Sequence, residues 1–306
     1  MRYKITHTTS YIYGEPVKVC HNLIMLTPRP TPHLQTHSHR LVIRPTPGHS
    51  SRRKDDFGNF VHALSIEESH RRLSITATSR VTVDEVPLPA ADTTPSWEDI
   101  SSSIAQSSDP NWFHACRFLF DSPRVRQGAA FREYALKSFP GKRPILEGVL
   151  DLTSRIHRDF KYDANATQVD TLTEDAFKLR RGVCQDFAHI QIACLRSLGL
   201  PARYVSGYLR TIPPPGKPRL VGVDQSHAWL SVYCGPAGWI DVDPTNDTAC
   251  RTDHIPLAFG RDYKDVTPVR GVFLGGGQHT LKVEVDVCPL EADDVHEDTP
   301  ASDGKG

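Results

Sequence analysis

Long hydrophobic runs are missing from this chain of 306 residues: nowhere do about 18 apolar residues follow one another, the length a membrane-spanning helix needs. Net charge is missing too, because 36 Lys and Arg offset 36 Asp and Glu. That leaves no electrostatic reason to expect nucleic acid or an anionic membrane as a partner. Cysteines are few and irregular. Cys20, Cys116, Cys184, Cys194, Cys234, Cys250 and Cys288 are odd in number and include no Cys-x-x-Cys pair. This excludes a disulfide framework and a zinc finger, and fits reduced thiols in the cytoplasm. The N-terminal stretch Met1 to Val19 alternates instead of forming an apolar block, so no signal peptide is expected.

What is present begins with a β pattern. Tyr3, Ile5, His7, Thr9, Tyr11 and Tyr13 alternate with polar neighbours, the period of a half-buried strand. Further strand-like runs follow at Val19–Leu26, Arg40–Arg44, Phe57–Ile66 and Leu73–Val83, separated by Pro- and Gly-rich turns. Short strands at this spacing predict an antiparallel sandwich over residues 1–90. His33, His37 and His39 fall in a Pro- and Thr-rich loop without a companion Cys or acid at ligand spacing, so no metal is expected there. Residues 91–140 read as a linker followed by packing helices, with Phe113, Cys116, Arg117 and Phe120 on one face. In the next segment Leu146, Val149, Leu150, Thr153 and Ile156 share another face. A core is expected over 141–290. Its last element would be a hairpin of Val269–Leu274 and His279–Val287 around Gly275-Gly276-Gly277, which lacks the following helix of a phosphate loop. Residues 291–306 hold six acids and one lysine and read as a disordered tail.

The stretch with chemical potential is Arg181-Gly182-Val183-Cys184-Gln185-Asp186-Phe187-Ala188. Phe187, Ile190, Cys194, Leu195 and Leu198 recur at helical spacing, and Gly199 with Pro201 ends the helix. Thr171-Leu172-Thr173-Glu174 looks like a capping box for a short preceding helix that Gly182 stops. Cys184 thus falls in a first helical turn, where unpaired N–H groups favour a thiolate and can hold an oxyanion. The competing reading is a small buried core cysteine.

A cysteine nucleophile needs a base, and the base needs an orienting group. Beyond the helix the period changes to two. Ala202–Arg210 reads as a strand, Thr211–Pro218 as a stiff loop, and Ser226–Tyr233 with Gly238–Asp243 as a hairpin. His227, Trp229, Ser231 and Tyr233 point one way; Trp239, Asp241 and Asp243 share their side. If Tyr233 faces Trp239, position 227 faces 245 and Asp243 is the diagonal neighbour of His227, roughly 7–8 Å away at the backbone. Asp241 lies two residues further off. The register therefore favours Asp243 as partner.

These stretches resemble the bacterial transglutaminase-like proteins of the papain-like cysteine superfamily. The resemblance rests on the Cys184 segment, on Leu200-Pro201-Ala202-Arg203-Tyr204-Val205-Ser206-Gly207-Tyr208, on Ser226-His227-Ala228-Trp229 and on Gly238-Trp239-Ile240-Asp241-Val242-Asp243-Pro244-Thr245-Asn246. Asp56-Phe57-Gly58-Asn59, Gly260-Arg261-Asp262-Tyr263 and Pro268-Val269-Arg270-Gly271 look like the flanking regions of one bacterial subgroup. The resemblance implies an α+β fold, with a Cys-bearing helix packed on an antiparallel sheet behind the N-terminal β-sandwich. It implies Cys184 as nucleophile, His227 as base and acid, and Asp243 as the group that orients the imidazolium. It also implies a second oxyanion donor, for which Tyr162 is the candidate, although core packing is the favoured role for that side chain. Gln185, Trp229 and Trp239 either line an acyl pocket or pack. The expected activity is a peptidase or amidase working through a thioester on a protein or peptide substrate. The alternatives are transglutaminase-type transfer to an amine, or a scaffold that keeps the fold without catalysis. No cofactor is implied: calcium has no acidic loop to bind, and the 15 histidines show no metal-site spacing. Oligomeric state is left open.

Overall fold

The computed structural model describes residues 1–104, 110–211 and 225–291. The loop expected at Thr211–Pro218, beyond its first residue, and the acidic tail after Glu291 lie outside the described residues.

The N-terminal β domain is organised on one strand, β1 (Arg2–Ile24). The alternation read at its start runs through Val17, Cys20 and Ile24, so two expected strands are one, interrupted by a register shift near Gly14–Pro16. Along its first half β1 pairs with β5 (His70–Val83), which carries β2 (Leu34–Arg44) on its far side. Along its second half it pairs with β4 (Phe60–Ile66), which carries β3 (His49–Lys54). His37 and His39 therefore stand on β2 rather than in a loop. His37 meets the Thr82 hydroxyl at 2.7 Å, and His39 meets Ser79 and Thr27 at 2.9 and 3.0 Å.

A helical layer follows: α1 (Trp97–Ile104), α2 (Pro110–Cys116), α3 (Ala129–Leu136) and α4 (Ile145–Asp159). The face expected on α4 is buried, with Leu150 only partly covered. The face expected around α2 is not. That helix stops at Cys116, the period breaks, and Phe113 and Phe120 are 77% and 65% exposed while Ala115 and Phe118 turn inward. After the two-residue strand β6 (Lys161–Tyr162) comes α5 (Thr173–Leu179). The expected capping box does not form: the Thr173 hydroxyl donates to the Arg124 carbonyl, and Thr171 accepts from Gln168. Arg180, in the left-handed region at φ 55°, ends α5 ahead of Gly182. Its guanidinium compensates by lying 4.3 to 5.0 Å from the rings of Phe177, Phe160 and Tyr134. A second two-residue strand, β7 (Arg181–Gly182), pairs in parallel with β6.

Helix α6 (Cys184–Ser197) packs on a five-stranded antiparallel sheet made of β8 (Ala202–Leu209), β9 (Gln225–Tyr233), β10 (Trp239–Asp243), β11 (Thr248–Ala249) and β12 (His254–Gly260), in the order β11-β10-β9-β8-β12. The two parts are tied together at β12. The buried Asn59 side chain donates to the Phe259 carbonyl and accepts the Phe259 N–H, and Tyr208 of β8 bonds His7 of β1 at 3.0 Å.

The last two strands, β13 (Val269–Gly275) and β14 (His279–Pro289), are not the hairpin expected. Both run antiparallel to β1, one after the other, from Ile24 opposite Val269 to Tyr3 opposite Pro289. The chain thus returns to the N-terminal sheet, which gains its sixth and seventh strands. Gly275-Gly276-Gly277, all at positive φ, sits opposite Gly14-Glu15-Pro16 and absorbs the break in β1.

Candidate active site

The start of α6 is built by four residues. Gly182 has no room for a side chain: a Cβ would lie 2.4 Å from the Asp186 carboxylate. That carboxylate occupies the space because it caps the helix, accepting the Val183 N–H at 2.8 Å and the Thr167 hydroxyl at 2.6 Å. Burial pushes the Asp186 carboxyl up, and the two donors oppose this. Cys184 follows the Val183 cap as the first helical residue and is partly exposed. Its backbone N–H and that of Gln185 have no acceptor among the described residues.

The register of β9 and β10 is Tyr233 opposite Trp239 through Leu230 opposite Val242. It brings His227 and Asp243 into contact, with Nε2 and Oδ2 2.7 Å apart. A carboxylate only accepts, so Nε2 carries the proton and Nδ1 is the ring nitrogen left for Cys184. Burial of the ring works against its charge. The hydrogen bonds of Asp243 and Cys184, then their charges, outweigh burial and raise His227 from 6.5 to about 10. Asp243 is fully buried, which alone would raise it. Hydrogen bonds from His227, His254 and Asn246 hold it well below the usual carboxylate range.

His254 and Asn246 escaped the sequence analysis as site residues. Asn246 donates its amide to Asp243 Oδ2 at 2.6 Å, and His254 Nε2 meets the same oxygen at 3.1 Å. Asn246 carried one weak signal, its place three residues after Asp243 in a turn. His254 carried none, since the Cys250–Asp253 loop that returns it to Asp243 follows no period. His227, Asp243 and His254 offer three ligand-type atoms within 4.8 Å, a spacing that can hold a metal ion. The N–H donors converging on Oδ2 account for this cluster without one.

The remaining candidates divide. Tyr162 is half exposed, not a core residue; it pairs with Gly182 across β6 and β7, and burial followed by the nearby Cys184 raises its phenol. Gln185 is buried and donates its amide to the Val169 carbonyl at 3.0 Å. Trp229 is wholly buried, donates to Asp241 at 2.9 Å, and lies under His227 with ring centroids 6.1 Å apart. Gly207 makes this possible, for a Cβ there would meet the indole at 2.3 Å. Trp239 packs on Phe118, Tyr233 and Arg203.

A cysteine opening a helix that packs on an antiparallel sheet with an adjacent His–Asp pair is the architecture of the papain-like cysteine superfamily. The chain belongs to the bacterial transglutaminase-like family. The bacterial transglutaminase-like N-terminal region matches residues 3–82, and the transglutaminase-like superfamily core matches residues 132–244. An uncharacterised protein of Mycobacterium tuberculosis is 40% identical over 96% of this chain and 95% of its own. A protein-glutamine gamma-glutamyltransferase of Pseudomonas aeruginosa is 35% identical over 96 residues, 30% of this chain and 14% of that one. The fold is shared with a proposed cysteine protease from Cytophaga hutchinsonii, with a TM-score of 0.75 and 23% identity over 96% of this chain and 92% of that one. No described helix is long and apolar enough to cross a membrane.

Proposed function

We propose that this protein is a cysteine-dependent amidase or peptidase with Cys184 as nucleophile, His227 as base and acid, and Asp243 as the group that orients the ring. The observation that carries this reading is His227 bound to a buried carboxylate on one side and acted on by the Cys184 thiol on the other. The thiolate adds to an amide carbonyl of a protein or peptide. The resulting oxyanion is met by the free N–H groups of Cys184 and Gln185, with the Tyr162 hydroxyl as a further donor. Collapse expels the amine, which takes a proton from His227 and leaves a thioester. His227 then takes a proton from water, the hydroxide adds to the thioester, and the acid departs as the thiol reforms.

A second reading is transfer of the acyl group to an amine, favoured by the matched segment of the Pseudomonas glutamyltransferase. Incubating the protein with a glutamine-containing peptide library and a primary amine separates the two by mass. Hydrolysis gives the acid, transfer gives the amine adduct, and neither forms with Cys184→Ala. Product formation by that variant would refute both. The cysteines of the described residues form no disulfide, which fits the cytoplasm; cell fractionation that recovers the protein elsewhere would overturn that placement.

A further inference from the structure

We propose that His254 is a positioning residue of this site: it fixes the Asp243 carboxylate and shares its negative charge with His227. The inference rests on the triad reading given above.

Asp243 is enclosed and depends on protein donors alone. Its Oδ1 accepts the backbone N–H of Thr245 at 2.9 Å and of Asn246 at 3.3 Å. Its Oδ2 accepts three side-chain donors: Asn246 at 2.6 Å, His227 at 2.7 Å and His254 at 3.1 Å. Two imidazoles therefore converge on one oxygen, with ring centroids 6.2 Å apart, and Cys184 acts on that of His227.

The state of His254 follows from its neighbours. Facing a carboxylate, Nε2 carries a proton. Facing the Arg251 N–H at 3.5 Å, Nδ1 accepts. The ring is thus a neutral donor. It is clamped in place by Trp229, which stands edge-on at 5.3 Å and is anchored to Asp241. A neutral donor on Oδ2 stabilises the anion and draws density away from the bond to His227. Without it the carboxylate is the stronger base, and it holds the imidazolium more tightly.

The other ionisable groups around the pair come from several elements. They are Cys184 of α6, Asp241 of β10, the partly buried Cys250 near Asp241 and Asp243, and His157 of α4, which meets the Thr245 carbonyl at 2.9 Å. Asp253, beside His254, is turned away toward Tyr3 and Arg210.

The test follows the His227 ring titration by NMR in the full-length protein, with His227→Gln used to assign the signal. In His254→Leu the His227 midpoint moves up by about one pH unit, the size expected for one hydrogen bond to a charged group. In His254→Gln, whose amide can donate in its place, the midpoint returns toward wild type. An unmoved midpoint alongside a lowered unfolding temperature would reduce His254 to a packing residue and overturn the proposal. Should His254→Leu fail to fold, the wild-type 15N shifts decide. An Nε2–H tautomer supports the role, and an Nδ1–H tautomer excludes it. Failure of the triad reading looks different: Cys184 would alkylate no faster than Cys116 and would ignore His227→Ala, whatever His254 does.

Discussion

Gly182 and Asp186 compete for one space, since a Cβ on the glycine would stand 2.4 Å from the carboxylate oxygen that caps the helix opened by Cys184. Gly182→Ala is expected to push the cap aside. The lost cap costs about 1 kcal/mol and the overpacking a further 1–3 kcal/mol or so. Asp186→Ala removes the cap and the Thr167 partner but adds no overpacking, and should cost less. Urea unfolding of both variants checks the order, and a Gly182→Ala protein as stable as wild type would refute the steric account.

Alkylation of Cys184 by iodoacetamide, followed by mass spectrometry, tests the nucleophile and its base together. His227→Ala should slow the reaction and lower turnover of a responsive substrate by about a hundredfold or more, the usual contribution of a positioned base. Asp243→Asn should fall in between, because an amide at that position no longer favours the imidazolium. Equal rates in all three proteins would mean that the cysteine works without the pair.

Much of this site was legible because it is local. The helix start around Cys184 and the period-two pattern through His227 and Asp243 each fix a direction within a few residues, and the assumed Tyr233–Trp239 register is the one observed. Contacts that no periodic pattern leads to were not legible. His254 meets Asp243 through an irregular loop, and Asn59 meets Phe259 across 200 residues. The triple glycine misled for a related reason. Glycines between two strand-like runs look the same whether the runs face each other or continue side by side along a third strand.

That third strand makes Gly275 sensitive. Its φ is 93°, and a Cβ would come within 2.6 Å of the Pro16 carbonyl oxygen. Gly275→Ala is expected to destabilise the protein by about 1–3 kcal/mol from backbone strain alone. The damage should concentrate in β1 and β13, read by faster amide exchange there. Damage confined to β8–β12 would contradict the pairing.

The His227 ion pair should leave a signature in stability against pH. Its folded value near 10 lies above the ordinary 6.5. Its contribution is therefore fully present below pH 6.5 and is lost as pH rises through about 10. Asp243 is displaced downward from 3.8, so its contribution is present above that pH and is lost on acidification. The stability difference between wild type and His227→Gln should shrink steadily from pH 6.5 to 10. A difference that stays flat over that range would show that the ring gains nothing from its charge when folded.

His7 carries the opposite sign. It is buried between Thr9 and Tyr208, joining β1 to β8, and burial lowers it from 6.5 to about 4. Below pH 6.5 the unfolded chain takes a proton there that the folded chain refuses, so stability falls as pH drops from 6.5 to 4 and the loss levels off below that. The full effect is on the order of 3 kcal/mol. His7→Gln keeps a polar side chain able to bond both hydroxyls and cannot titrate. It should flatten this acid limb while leaving stability at pH 8 within about 1 kcal/mol of wild type. Thermal unfolding of both proteins from pH 4 to 8 gives the comparison. Parallel acid limbs would mean that His7 takes up its proton without breaking the join between the β domain and the core.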